Sequence, residues 1–193
     1  MLVEGIVHVE GDGASSGAPD DGPVFDGVDE LIAGLDEIAD THGVTVQAFD
    51  ARLVTGRRHL ERAIELADRE RARGDGIARN RAVEILLYAA GRRQIDRALE
   101  LGVGPGATPA VVLVDAPPGE DEAANGTSDG STPAEAAAVA AVRELLEPAE
   151  TLGDYDPERV RAFFDIGPAE LAATAADLPA VVRERVALLV VER

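Results

Sequence analysis

The sequence has no lysine, no cysteine and no tryptophan, and aromatic residues make up only 3% of its 193 positions. Without cysteine the chain can form no disulfide, no thiol nucleophile and no thiolate metal site. Without lysine it can have neither a Walker lysine nor a Schiff-base nucleophile. No apolar run approaches the roughly 20 residues of a membrane span, and Met1–Gly5 carries no basic leader. We therefore expect a cytoplasmic protein without a membrane segment.

Basic charge is also scarce. The chain has 37 acidic residues against 18 arginines, a formal net charge of −19. This excess, with few aromatics and no lysine, is typical of halophiles that keep molar salt in the cytoplasm, where the Debye length is roughly 3 Å and surface repulsion is screened. A GC-rich genome also replaces lysine by arginine codons. Intrinsic disorder is the alternative, but 46% hydrophobic residues in periodic segments argue against it.

The arginines that are present are concentrated in one part of the chain. Residues 51–100 contain 12 of the 18 arginines and 8 acidic residues, a charge of +4. The other 143 residues contain 6 arginines and 29 acidic residues, a charge of −23. This distribution indicates that the segment 51–100 binds something anionic.

Hydrophobic periodicity predicts a mixed α/β protein. Strands are predicted at Leu2–Val9, with Val3, Val7 and Val9 on one face, at Val44–Phe49 and at Ala110–Asp115. The end Val186–Val191 is a possible fourth strand. Helical spacing, with proline at the first turn of two segments, predicts about seven helices. We expect a single mixed α/β domain over residues 1–193, with a small three- or four-stranded sheet and about seven flanking helices.

Two segments and several single residues mark where these elements end. Residues 11–23 and 116–133 are rich in Gly, Pro, Ser and Asp and are predicted as flexible acidic loops. Thr55 and Asn80 are predicted N-caps, and Gly43 a left-handed C-cap. Gly91 is expected to interrupt helical structure that resumes at Arg92.

Catalytic constellations are not evident. The four serines (Ser15, Ser16, Ser128 and Ser131) all lie in the two predicted loops, which disfavours a Ser/His/Asp triad. The three histidines, His8, His42 and His59, belong to separate elements without metal-ligand spacing. The glycine-rich segment 102–106 follows a helix and precedes a strand, the reverse of a phosphate-binding loop. We expect no enzyme activity, metal, cofactor or small-molecule substrate.

Two basic sets stand at predicted helix starts: Arg57, Arg58 and His59, and Arg92, Arg93 and Gln94. A helix N-terminus already favours an anion, and a guanidinium fork binds phosphate through two hydrogen bonds. Basic residues there oppose the helix dipole, which costs stability unless an anion lies between them. We expect the two sets to converge, because the break at Gly91 lets the second helix begin beside the first. The alternative is that these arginines pair with surface carboxylates.

A longer sequence pattern includes the block around Arg58-His59 and continues through Glu84-Ile85-Leu86, Tyr88, Ala89, Gly91, Arg93-Gln94-Ile95 and Ala98. In this pattern the chain resembles the small accessory subunit of the KEOPS complex, the PRPK-binding protein (TPRKB) family, of a haloarchaeal type. Clear similarity covers Val44–Leu101, with weaker agreement in the first strand and the C-terminal VALLVVER. The two acidic loops are departures, and Ala90 stands where serine often precedes the glycine.

The resemblance implies a non-catalytic subunit with two partners. One is the small atypical kinase of the complex, for which the apolar helix Val83–Ala90 offers Ile85, Leu87 and Tyr88. The other is the single-stranded 3′ CCA tail of tRNA, which the two arginine sets would hold while another subunit installs threonylcarbamoyl on an adenosine. Tyr88 is either a stacking platform or, more simply, a core residue. A purely structural interaction module without RNA contact is the alternative function.

Overall fold

The computed structural model describes residues 1–11, 23–117, 132–174 and 176–190. The loops predicted at 11–23 and 116–133 lie outside these ranges except for their end residues. Within the described ranges the chain forms five strands, eight α-helices and one short 3-10 helix. In chain order they are β1 (Leu2–Val9), β2 (Val24–Phe25), α1 (Val28–His42), β3 (Thr45–Asp50), the 3-10 turn (Ala51–Leu53), α2 (Arg57–Ala72), α3 (Arg81–Ala90), α4 (Ile95–Leu99), β4 (Gly106–Asp115), α5 (Pro133–Arg143), β5 (Glu147–Pro148), α6 (Pro157–Phe163), α7 (Pro168–Ala173) and α8 (Leu178–Leu188).

The predicted fold class, mixed α/β with one sheet, is confirmed. The sheet has the order β2-β1-β4-β3, and β5 also pairs with β1. The strands beyond the predicted three are β2 and β5, of two residues each. The chain divides into two compact units: unit 1 is residues 1–49 and 103–150, and unit 2 is residues 50–102 and 151–193. That residues 1–193 form a single domain stays a prediction.

Unit 1 is built around the long antiparallel pair of β1 and β4, in register from Leu2 opposite Leu113 to Val9 opposite Gly106. Alternate residues of β1 are buried, including Val3, Val7 and Val9, as the alternation in the sequence predicts. They pack in one cluster with apolar residues of α1 and α5, among them Leu31 and Val142. Gly43, at φ 64°, ends α1 as the predicted left-handed cap.

Unit 2 is helical, and α2 packs against both α3 and α8. Its core includes Leu60 and Leu66 of α2 and Ile85 and Leu87 of α3, all fully buried. A second cluster joins α6, the following turn and α8 through residues such as Phe164 and Val182. The packing of α2 against α8 joins the two separate segments of the unit, one around residue 60 and one around residue 185, in one core.

The structure corrects three predicted element boundaries, all in unit 2. Thr55 is not an N-cap, because α2 begins after Gly56, whose φ of 130° suits only glycine. Arg92 and Arg93 do not begin a helix: Gly91, at φ 59°, ends α3, and α4 starts after Gln94.

The third correction concerns the C-terminal apolar run. Residues up to Leu188 belong to α8 and not to a strand, and residues 191–193 lie outside the described ranges. Val182, Val186 and Leu189 are buried at helical spacing. Packing on one helix face has overridden the strand preference of valine.

Candidate nucleic-acid interface

Nearly all basic side chains belong to unit 2. Its two segments contain 17 of the 18 arginines together with 17 acidic residues, so its formal charge is zero. Unit 1 contains Arg143 and 20 acidic residues, and it therefore carries the whole formal charge of −19. The contrast identifies unit 2 as the part of the chain suited to an anionic ligand.

The first turn of α2 holds the most available pair of these arginines. Arg57 and Arg58 open the helix, and both are exposed. Neither has an ion pair with any residue that the structure describes. The first turn contains no acidic residue, and its N-cap Gly56 supplies no side-chain hydrogen bond. Two guanidinium groups thus stand where helix N–H groups also favour a negative charge.

His59, the third residue of this set, is buried and not part of the exposed surface. Only 1% of it is exposed. Its Nδ1 accepts a hydrogen bond from the Thr55 backbone N–H at 3.4 Å, and Nε2 donates to the Ala89 carbonyl at 2.8 Å. The ring of Phe164 meets it edge-on, with centroids 5.7 Å apart. Both nitrogens are satisfied in the neutral form, so His59 links α2 to α3; its contact with RNA stays an untested prediction.

Burial is also the main reason that the pKa of His59 falls from 6.5 to about 4. The hydrogen bond to Ala89 raises it in part, and the positive charge of Arg183 lowers it. Arg183 on α8 is therefore close enough to the start of α2 to act on His59 electrostatically. It has no ion pair with a described residue. Sequence reasoning missed it, because nothing local in residues 178–190 signals proximity to residue 59.

The second predicted set lies in the link between α3 and α4. Arg92 donates through one nitrogen to the Phe163 carbonyl at 2.6 Å and to the Asp165 carboxylate at 2.7 Å. Arg93 is exposed and donates to the Leu189 carbonyl at 3.1 Å. Gln94 is exposed as the residue before α4. Arg92 is thus paired with a carboxylate, whereas Arg93 has no ion pair with a residue that the structure describes.

The bond from His59 to Ala89 connects the two sets. It fixes the first turn of α2 against the last turn of α3, two residues before Gly91. Arg58 and Arg92 therefore extend from neighbouring helix ends within unit 2. That the guanidinium groups themselves converge on one ligand stays a prediction.

The three residues predicted to contact the kinase are in the core. Ile85 and Leu87 are 0% exposed and Tyr88 is 1% exposed. Burial, with the nearby charges of Glu84 and Glu70, raises the pKa of Tyr88. These side chains offer no surface in the isolated chain, which favours the core interpretation of Tyr88. The apolar side chains that unit 2 does expose include Ile95 and Leu99 of α4, at 51% and 54%.

Metal-ligand clusters and membrane-spanning helices are absent from the described residues. Among the described residues, no three His, Asp or Glu side chains are grouped so that they could hold a metal ion. In that same part of the chain, no helix combines the length and the apolar character that a bilayer crossing requires. The exposed features of unit 2 include its arginines and the apolar face of α4.

Comparison with known proteins defines the class to which this fold and surface belong. The family model described as kinase binding protein CGI-121 matches residues 28–189, most of the chain and parts of both units. The chain belongs to this family of kinase-binding proteins. No curated protein matches it by sequence.

Proposed function

We propose that this chain is a non-catalytic, cytoplasmic subunit of the KEOPS tRNA-modification complex, which supports threonylcarbamoyl-adenosine formation. It binds the small atypical kinase of the complex and the single-stranded 3′ CCA tail of tRNA. Membership of a kinase-binding family supports the first partner. The observation that carries the second is the exposed pair Arg57 and Arg58 at the start of α2, which has no ion pair with a described residue, in a unit with 17 of the 18 arginines.

The kinase contact is best assigned to α4. Ile95 and Leu99 are four residues apart and therefore share one helix face. Each exposes about half of its surface in the isolated chain. Exposed apolar surface is unfavourable in water, so burying it against a partner would stabilise the complex. Residues 84–90 of the neighbouring helix α3 are buried and pack beside α4, so they offer little surface for this contact.

An aspartate at either position tests this assignment. Ile95→Asp or Leu99→Asp should weaken binding to the purified kinase subunit by tenfold or more, because the charge must be desolvated at an apolar contact. Ile32→Asp is the matched control: Ile32 is a helical isoleucine of unit 1 with 46% exposure. Equal binding by all three variants in isothermal titration would place the kinase contact elsewhere.

RNA binding by an acidic protein in molar salt requires contacts that salt does not screen. Counterion release, which drives most nucleic-acid binding, contributes little under those conditions. Affinity then depends on two-point hydrogen bonds from guanidinium groups, on stacking and on apolar contacts to unpaired bases. Arginine suits this better than lysine, because its weakly hydrated plane can both stack and donate a fork.

The RNA assignment is tested in high KCl with intact tRNA and with tRNA that lacks its terminal CCA. Intact tRNA should bind more tightly. Arg58→Ala should weaken the binding of intact tRNA about tenfold or more, because that is the effect of losing one hydrogen bond from a charged group. Arg73→Ala is the control, since Arg73 lies at the other end of α2, about 22 Å away along the helix axis. Identical affinities for the two RNAs would contradict tail recognition.

A structural module without RNA contact is the second candidate, and one observation favours it. Within the described ranges, at least ten arginines of unit 2 have a carboxylate oxygen within 4.0 Å: Arg52, Arg62, Arg69, Arg73, Arg81, Arg92, Arg97, Arg159, Arg161 and Arg185. If the arginines serve only these intramolecular ion pairs, the chain should bind the kinase but should not bind tRNA, whether or not the tRNA carries its CCA tail. The same titrations therefore separate the two candidates.

A further inference from the structure

Asp165 has an unusual backbone conformation for its residue type. It is the one non-glycine residue with positive φ, at 53°, in the part of the chain that the structure describes. It follows Phe164, the residue that ends α6. Glycine is the usual residue at this left-handed position, because a side chain there costs roughly 1 kcal/mol or more. Aspartate is one of the few other residues that tolerate this conformation, which here directs the carboxylate toward Arg92.

That carboxylate lies on Arg92. Its Oδ2 accepts a hydrogen bond from Arg92 at 2.7 Å, and the Asp165 side chain is 74% exposed. Exposed ion pairs contribute little to stability, so a competing anion can displace this one. Arg92 is also held independently of Asp165, by the Phe163 carbonyl at 2.6 Å and by the Phe163 ring, whose centroid lies 6.0 Å from the guanidinium carbon. The guanidinium therefore stays oriented when the carboxylate leaves.

The positive charges of further arginines also act on the Asp165 carboxylate. The hydrogen bond to Arg92 is the first cause that keeps the pKa of Asp165 below its ordinary value, and the charges of Arg97 and Arg185 add to it. Arg92, Asp165 and Arg185 line a cavity of about 250 Å³ together with the backbone of Gly91. Arg185 is held there by hydrogen bonds to both carboxylate oxygens of Glu170 at 2.9 Å. A small anionic group can enter this cavity from solvent, since the carboxylate inside it is largely exposed.

We propose that the cavity at Arg92 and Arg185 is a phosphate-binding site and that Asp165 is its internal occupant in the unliganded chain. An incoming phosphate displaces the Asp165 carboxylate and takes its hydrogen bond to Arg92, and its second oxygen uses the other guanidinium N–H groups. The assignment of the ligand to RNA rests on the proposed tail-binding function. The site itself requires only a phosphate group, so free inorganic phosphate is the second possible source.

The test uses Asp165→Asn in the full chain at molar KCl. Asparagine has the same shape and accepts the left-handed conformation, but it carries no charge to compete with phosphate. Glu65→Gln is the matched control: Glu65 is an exposed carboxylate of unit 2, paired with Arg62 at 2.8 Å, and its loss removes the same charge elsewhere. Thermal melting of both variants confirms that they are folded.

Two measurements are made on the wild type and both variants: the affinity for intact tRNA, and the rise in melting temperature on adding inorganic phosphate at constant ionic strength. We expect Asp165→Asn to strengthen binding by about two- to fivefold, because phosphate no longer has to displace an exposed ion pair of that strength. Glu65→Gln should leave the binding unchanged. Arg92→Ala should abolish the gain when combined with Asp165→Asn. A gain in the tRNA arm identifies the ligand as an RNA phosphate, and a gain in the phosphate arm alone identifies free phosphate.

Equal behaviour of Asp165→Asn and Glu65→Gln in both arms overturns the phosphate site, even if the wild type binds the tRNA tail. Absence of tail-dependent tRNA binding by the wild type contradicts the proposed function instead, and the phosphate arm then decides the site alone. A gain that survives Arg92→Ala also overturns the proposal, because it would show that Asp165 acts only through general charge.

Discussion

His59 shows how one side chain can couple the stability of unit 2 to pH. Its neutral ring satisfies Thr55 and Ala89, and burial holds its pKa at about 4 against an ordinary value of 6.5. Between these two values the unfolded chain binds a proton that the folded chain does not. Stability from this residue is therefore fully present above pH 6.5 and is lost as the pH falls toward 4.

We predict that the free energy of unfolding of unit 2 falls by roughly 3 kcal/mol more in the wild type than in His59→Gln between pH 6.5 and 4. Urea denaturation at molar KCl measures it, followed by tyrosine fluorescence. His42→Gln, at the partly exposed end of α1, controls for the loss of a histidine. Parallel pH curves for wild type and His59→Gln would contradict the coupling.

Gly5 on β1 is a position where a single added carbon should destabilise unit 1. A Cβ there would lie 2.7 Å from the Glu147 carbonyl oxygen and 2.7 Å from the Leu146 Cβ, at the point where β5 pairs with β1. We predict that Gly5→Ala lowers the stability of unit 1 by about 2 kcal/mol or more, since β5 must move away. Gly104→Ala has no atom within 4 Å of the added carbon and should change the melting temperature little.

At the scale of elements, α3 depends on its cap. The Asn80 side chain accepts hydrogen bonds from the N–H groups of Ala82 and Val83, at 2.7 and 3.4 Å. We predict that Asn80→Ala lowers the free energy of unfolding of unit 2 by about 1 kcal/mol, whereas Asn80→Ser, which keeps an acceptor oxygen, loses much less. Chemical denaturation measures both. Equal losses would show that the cap oxygen is not what stabilises the start of α3.

The elements that sequence predicted correctly are those with local signals. Asn80 and Gly43 were predicted as caps because a side-chain oxygen or a missing Cβ acts within one turn of chain. The strands β2 and β5 carry no such signal, since two residues become a strand only when β1 lies beside them. The valines of α8 indicated a strand until burial on one helix face was known.

The candidate interface divides in the same way. Arg57 and Arg58 were predictable as an exposed pair, because they are adjacent in sequence and open one helix. Arg183 and Asp165 were not, since only the packing of α8 and of the turn after α6 brings them to His59 and Arg92. The burial of His59 and Tyr88 likewise depends on contacts between distant helices.

For the whole molecule, the division of charge predicts a division of salt sensitivity. Unit 1 carries the formal charge of −19, while the charges of unit 2 balance. We predict that lowering KCl from molar to millimolar concentration unfolds unit 1 first, because self-repulsion is no longer screened. Both tyrosines, Tyr88 and Tyr155, belong to unit 2. Tyrosine fluorescence should therefore stay constant while far-ultraviolet circular dichroism loses the signal of α1, α5 and the sheet.

Coincident transitions by both probes would show that the two units unfold together. Neither probe changing down to a few millimolar KCl would contradict the halophilic interpretation of the composition. Comparing sodium sulfate with KCl at equal ionic strength, where screening is the same but sulfate also strengthens apolar burial, separates screening from a general salt effect.

The pairing of β1 with β4 has a consequence for how the ribosome delivers this protein. Leu2 pairs with Leu113, so the first strand emerges about 100 residues before its partner, and the whole of residues 50–102 of unit 2 is synthesised between them. At ordinary elongation rates that gap lasts roughly 5 to 20 seconds. During it, the valines of β1 are exposed on a nascent chain that cannot yet bury them. In molar salt the acidic residues of unit 1 are screened and repel neighbouring nascent chains only at very short range. The waiting β1 strand is therefore the part of the nascent chain most open to pairing with another chain.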